Sequence, residues 1–352
     1  MKKVIKIFFR ILEWIFILIF FLSVIYNKLV SYGIEQGIGQ LNIVFKARPI
    51  EVVMSDPAVA DSIKTKLKLV EEIKKFAVDS LGLKPSRNYT TLYDQHGKPA
   101  LLVLTASEKY KMKPYEWTFP VVGTVGYKGF FNFEKGKKEE KKLKEAGYDT
   151  ELGPTGAWST LGWFRDPILS GVLRRSEGQL AELIIHEMTH ATIYIKSSVD
   201  FNENLASAVG EEGAEQFLKF KYGDSSEALT DYRNRNDDYN LFAAHMLRGT
   251  LQLDSVYASF REQDPDQLKD SLKQNAIREI VSSLDTVSFH NKKRYQKYFE
   301  EALPNNAYFL GFVRYDAQKV EMKNELKKKF NGDIKSYVRT LVLNQKLTKR
   351  KP

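Results

Sequence analysis

The sequence has no cysteine. That absence excludes thiol nucleophiles, Cys-ligated zinc, iron–sulfur clusters and lipid attachment at a cysteine, and it leaves His and carboxylates as the donors for any catalytic metal. Histidine is scarce too, at 5 of 352 residues, so the places where it falls are informative. Neither sign of charge dominates: 54 Lys plus Arg face 44 Asp plus Glu, a formal +10 spread along the chain, which makes no case for a nucleic-acid partner. No internal repeat is present. Apolar residues are plentiful, 43% hydrophobic and 12% aromatic. Such a chain can bury a large core, which excludes intrinsic disorder and a disulfide-stapled miniprotein and predicts one large domain or two modest ones.

Long uncharged runs are confined to the N-terminus. Lys2, Lys3, Lys6 and Arg10 precede a stretch without charge from Trp14 to Tyr26. Its length suits a signal-peptide core, but the apolar pattern from Val4 to Tyr26 would span about 34 Å as a helix if Lys6 and Arg10 reach back to the interface. Only Ser31 and Gly33 offer a weak cleavage site, so residues 1–27 are expected to form an uncleaved membrane anchor, despite Glu13. Cations ahead of the apolar run predict a cytoplasmic N-terminus and a body, residues 28–352, on the far side of the membrane.

Within the body, Tyr32 to Gln40 reads as a Gly-rich polar tract. Met54 to Leu83 has helical spacing through Val59, Ile63, Leu67, Val70, Ile73 and Phe76, ending at Leu81-Gly82. Tyr89–Asp94 and Ala100–Ala106 read as a hairpin closed by Gln95-His96-Gly97-Lys98, and Phe119–Phe131 reads as further strand. Glu134–Gly147 is a solvated Lys/Glu segment. From residue 176 the pattern is helical, punctuated by Pro265, Pro304 and Gly332. The expected architecture is α+β: a β-containing part over about 40–175 and a helical part over about 176–345.

The chemistry concentrates in Leu180 to Tyr194, which contains His186-Glu187-Met188-Thr189-His190. Ser176 and Gln179 form a capping-box pattern ahead of it, and no Pro or Gly interrupts Gln179–Ile195. Four residues apart on a helix, His186 and His190 point the same way and can grip one ion, while Glu187 leans to the adjacent side as a general base. A third ligand is then needed. In the segment from Asp200 to Ala214, Glu203 shares its face with Ala206, Ser207, Gly210 and Ala214, and these small residues would let two helices approach closely. Glu212 lies opposite and Glu211 about 80° away, so Glu203 is preferred. Asn202 reads as a helix cap.

His186-Glu187-Met188-Thr189-His190 followed by Asn202-Glu203 resembles the zinc pattern of gluzincin metallopeptidases. Ala157 to Pro167, Phe119 to Gly123, Tyr127 to Phe131 and Phe201 to Glu203 resemble the bacterial putative aminopeptidase family of envelope proteins, over about Gln40 to Leu343. The resemblance implies a zincin-like fold, one Zn2+ on His186, His190 and Glu203, and a peptide substrate attacked by a water that Glu187 activates. It further implies an edge strand at Ala157–Phe164 where Thr160 and Gly162 meet the substrate backbone, and an oxyanion donor, for which Tyr315 comes first and Tyr239 and His245 follow. An aminopeptidase would also need an acid for the substrate amine, and Glu116 and Glu134 are available. His96 and His290 read as surface residues. The resulting expectation is a zinc peptidase, a putative aminopeptidase, on the periplasmic side of a bacterial inner membrane. An envelope endopeptidase, a non-catalytic metal-containing binding protein and an anionic-lipid or cell-wall binder are the alternatives.

Overall fold

The computed structural model describes residue 10 and residues 13–14, 27–119, 123–154, 165–195, 198–296 and 298–348. The expected membrane segment therefore lies almost wholly outside the described residues, as does the expected edge strand carrying Thr160 and Gly162. Among the described residues no helix is long and apolar enough to cross a membrane.

Helix α1 (Asn27–Lys46) occupies the tract read as Gly-rich and polar. Tertiary contact overrides its composition: Gly39 lets the helix press against the Phe131 ring, Ile43 is buried, and the Tyr32 hydroxyl donates to the Gly129 carbonyl at 2.9 Å. After β1 (Arg48–Pro49) and the short α2 (Ile50–Ser55) comes α3 (Asp61–Asp79). The helix expected over 54–83 is thus broken near Pro57, whose ring and missing N–H disfavour continuation. The apolar spacing of α3 is kept, with Leu67, Val70, Ile73 and Phe76 all buried, and Gly82 ends this stretch at φ +68°, a conformation that glycine adopts freely.

The strands form small sheets. β2 (Thr91–Tyr93) pairs antiparallel with β1 and parallel with β8 (Ile168–Leu169). β3 (Leu102–Ser107) lies between β6 (Lys128–Phe130) and β7 (Asp149–Pro154), while β4 (Trp117–Phe119) and β5 (Gly123–Val125) make a separate ribbon. The expected hairpin is therefore corrected. Its turn closes, with the Lys98 N–H on the Gln95 carbonyl at 3.0 Å, but the flanking strands join different sheets. Gln95 is tied elsewhere: its N–H donates to Ser170 Oγ and its Oε1 accepts the Gly171 N–H, at 2.9 and 2.8 Å. The expected solvated segment is helix α4 (Phe133–Glu145), which lays Leu143 on the buried side of the sheet with Leu104, Trp117 and Phe130.

Beyond residue 175 the chain is helical, as expected: α5 (Glu177–Thr192), α6 (Val199–Tyr222), α7 (Glu227–Ala258), α8 (Asp266–Ser282), the short α9 (Lys292–Gln296), α10 (Asn306–Asp316), α11 (Lys319–Phe330) and α12 (Ile334–Thr348). The capping box at Ser176 and Gln179 forms. From it α5 drives Leu180, Ile184, Ile185 and Met188 into the main core, each stabilising the fold by about 1.5–3 kcal/mol relative to exposure. A second core joins α7, α8 and α10 through Phe242, Met246, Ile277 and Phe309. Lys273 of α8 fixes these helices to the sheet: its ammonium donates to the Lys109 carbonyl and to Asp149 Oδ2, which also accepts the Asn306 N–H at the start of α10.

Candidate metal centre

Helices α5 and α6 meet along small residues. A Cβ on Gly210 would stand 2.9 Å from the Glu182 carbonyl oxygen and 3.2 Å from His186 Cβ, and one on Gly213 would stand 3.0 Å from Ile185 Cγ2. This close approach brings Glu203 to the histidines. His186 and His190, one turn apart with rings 85° to each other, aim their Nε2 atoms at a common point, 3.1 Å apart. Glu203 Oε2 lies 3.5 Å from His186 Nε2 and Oε1 lies 3.5 Å from His190 Nε2. Donors bound at about 2.0–2.1 Å around a tetrahedral zinc are separated by about 3.3 Å. Taken one per residue, the three donor atoms lie within 4.8 Å of one another, close enough for one such ion to gather them.

Two buried asparagines hold Glu203 there. The Asn202 amide binds the Ile195 backbone twice, donating to its carbonyl at 2.7 Å and accepting its N–H at 2.8 Å. Asn202 is therefore a clamp on the α5–α6 connection, not the helix cap expected from sequence; the N-cap position is Ser198. Asn204 donates to the Arg314 carbonyl at 2.7 Å and accepts the Gln318 N–H at 2.8 Å, tying α6 to the end of α10. Asn204 escaped the sequence reading, although a polar residue on the helix face it shares with Phe201 and Ala208 was a usable signal.

Burial would raise the Glu203 carboxyl, but hydrogen bonding and charge from His186 and His190 outweigh it and bring the group down to about 2. Burial would lower His186, yet Glu203 and Glu187 hold it above its ordinary value. Without a metal the pocket thus favours a carboxylate beside a protonated imidazole, and a divalent cation would replace that proton. Glu187 is different: burial, reinforced by Glu203 and Asp166, raises it against the pull of both imidazoles. The Tyr89 hydroxyl, itself raised by burial, shares this neighbourhood with Glu187 and Asp166. Tyr89 sits at φ 63° with its N–H on the Asp166 carbonyl at 2.7 Å, and Asn88 grips both the backbone and the carboxylate of Asp166. Neither Tyr89 nor Asp166 was legible as a site neighbour.

The rim is aromatic. Tyr315 is exposed on α10, and its hydroxyl is raised by burial with contributions from Glu203 and Glu187, so it lies within electrostatic reach of the triad. Tyr127 and Tyr194 also respond to Glu203, and the Tyr194 ring stands 6.3 Å from that of His190. Arg314 reaches over Tyr127 at 5.7 Å. Two weaker expectations are corrected. Tyr239 donates to Asp316 at 3.0 Å in an ion cluster with Lys319, and His245 is buried with Nε2 at 2.7 Å from the Ile280 carbonyl in the second core. Glu211 and Glu212 pair with Lys319, Lys323 and Lys327, not with the histidines. Glu134 is 81% exposed and pairs with Lys137. Glu116 stands just ahead of β4, and His96 and His290 lie at the surface.

No curated protein and no solved structure matches the chain. A family model described as putative aminopeptidase matches residues 31–351, the whole of the body that carries this pocket, and the chain belongs to that family.

Proposed function

We propose that the chain is a single-zinc peptidase with a zincin-like body, in which His186, His190 and Glu203 hold the ion and Glu187 acts as general base. The observation that supports this reading is the convergence of the three side chains, each offering one donor atom within 4.8 Å of the others, with the half-buried carboxylate of Glu187 next in sequence to one of them. The family description supports peptide hydrolysis. Bound there, zinc would supply a Lewis acid for the scissile carbonyl and for water. Glu187 takes a proton from the attacking water at its carboxylate and returns it to the departing amine nitrogen. The Tyr315 hydroxyl donates to the carbonyl oxygen as negative charge gathers. Tyr127, Tyr194 and Arg314 supply the wall against which a peptide lies; the contact of Thr160 and Gly162 with the substrate backbone rests on the family resemblance alone.

Trimming from the amine end, as the family description has it, requires a carboxylate for the substrate's ammonium group. Glu116 is the better of the two sequence candidates, because Glu134 is spent on Lys137 at the outer face of α4. The cations ahead of the uncharged N-terminal run support a location on the extracytoplasmic face of a bacterial membrane. The test is the full chain in detergent assayed on peptides with free and blocked N-termini, beside Glu187→Gln. The variant is expected to keep its metal and lose about 10²–10⁴-fold in turnover. Loss of metal, or unchanged turnover, would overturn the role given to Glu187, and cleavage of blocked peptides at an equal rate would replace aminopeptidase by endopeptidase.

A further inference from the structure

Helix α1 has a face that nothing among the described residues covers. Val30, Ile34, Ile38 and Phe45 are 39, 57, 62 and 79% exposed. At about 100° per residue they fall, with Leu41, within an arc of about 80°. The opposite face is the one that docks, through Tyr32, Gly39 and Ile43. Gly33 and Gly37, beside the exposed stripe, have nothing within 4 Å, so the stripe is flat as well as apolar. An apolar stripe sustained along one helix marks an interaction surface more strongly than scattered exposed side chains do.

We infer that this face of α1 lies in the interfacial layer of a lipid bilayer, apolar side down. The chain leading into α1 argues for lipid over a second copy. The uncharged run Trp14 to Tyr26 ends one residue before the helix begins, so the stripe continues an apolar sequence that is itself suited to hydrocarbon. The docked face touches Gly129 and Phe131, two and four residues beyond Tyr127 at the rim of the metal pocket. A bilayer under α1 would therefore fix the distance and tilt of the pocket relative to the membrane. This inference does not depend on the pocket being catalytic.

The absence of cysteine makes the test clean, because each introduced thiol is the only one. Full-length Ile34→Cys, Ile38→Cys and Phe45→Cys, with Asn42→Cys and Lys46→Cys from outside the stripe, carry an environment-sensitive fluorophore. They are reconstituted into phosphatidylglycerol–phosphatidylcholine vesicles with or without chain-labelled doxyl lipid. The expected result is several-fold stronger lipid quenching at 34, 38 and 45 than at 42 and 46, with the reverse order for aqueous iodide, and no dependence on protein-to-lipid ratio. Equal iodide access at all five positions, or failure of the chain to associate with vesicles, would overturn the inference. Protection of the stripe that disappears on dilution of protein in lipid would overturn it in favour of a second copy.

Discussion

Glu203 is held beside His186 and His190 by its two sequence neighbours. Asn202 satisfies both backbone groups of Ile195, so Asn202→Ala leaves a buried N–H and carbonyl unpaired at about 1–3 kcal/mol each. Asn202→Ala is expected to lower the denaturation midpoint and to weaken metal retention together; a stable variant with unchanged metal would show that the clamp does not position Glu203. Gly210 makes a sharper case. Glycine to alanine inside a helix ordinarily stabilises by up to about 1 kcal/mol. Here the added carbon would stand 2.9 Å from the backbone oxygen of Glu182, and forcing the helices apart is expected to cost about 1–3 kcal/mol. Chemical denaturation of Gly210→Ala reads the sign, and stabilisation would contradict the packing described. At this scale the convergence of the histidine pair with Glu203 was legible because residues four apart share a helix face and small residues beside Glu203 announce a close helix crossing. The amide clamps were not, because they bond to backbone brought near by the fold and leave no spacing signature.

Between elements, α11 is bolted to α6 by charge. Glu211 is buried; burial alone would raise it, but Lys319, Lys323 and the Asn240 amide outweigh that and hold it below its ordinary 4.5. A carboxyl depressed in the folded state contributes stability above its unfolded value and loses it as pH falls through the folded one. Lys319 and Lys323 are held above 10.5 despite burial, so their share is complete below that value and is lost only at strongly alkaline pH. The share of this cluster is therefore expected to be flat across neutrality and to be lost below about pH 4.5. Glu211→Gln should flatten the acid limb while costing about 3–5 kcal/mol at neutral pH, since it leaves lysines buried without their partner. An unchanged acid limb in that variant would show that Glu211 is not its source. The elements themselves were partly legible. The capping box and apolar spacing gave α5 its start and face, and the small residues around Glu203 announced the close crossing of α5 and α6. The hairpin was misread because turn chemistry is local, whereas the pairing of β2 and β3 is decided by what Gln95 binds 75 and 76 residues away. Helix α1 was misread because its glycines mask an amphipathic pattern that only the Phe131 contact makes evident.

For the whole molecule, an ion gripped by α5 and α6 would join two helices that both run through the main core. Any ligand bound only by the folded state adds stability by mass action, about 2.7 kcal/mol at a hundredfold excess over its dissociation constant. Thermal melting is thus expected to rise with added zinc and fall with a chelator, and Glu203→Ala should melt at the same temperature under both conditions. The most direct test is metal content per chain, measured by mass spectrometry on the purified full-length protein, on Glu187→Gln, and on His190→Ala and Glu203→Ala. One equivalent in the first two and almost none in the last two is the predicted result. A full equivalent retained by Glu203→Ala, or no metal bound by the native chain when zinc is supplied, would contradict it.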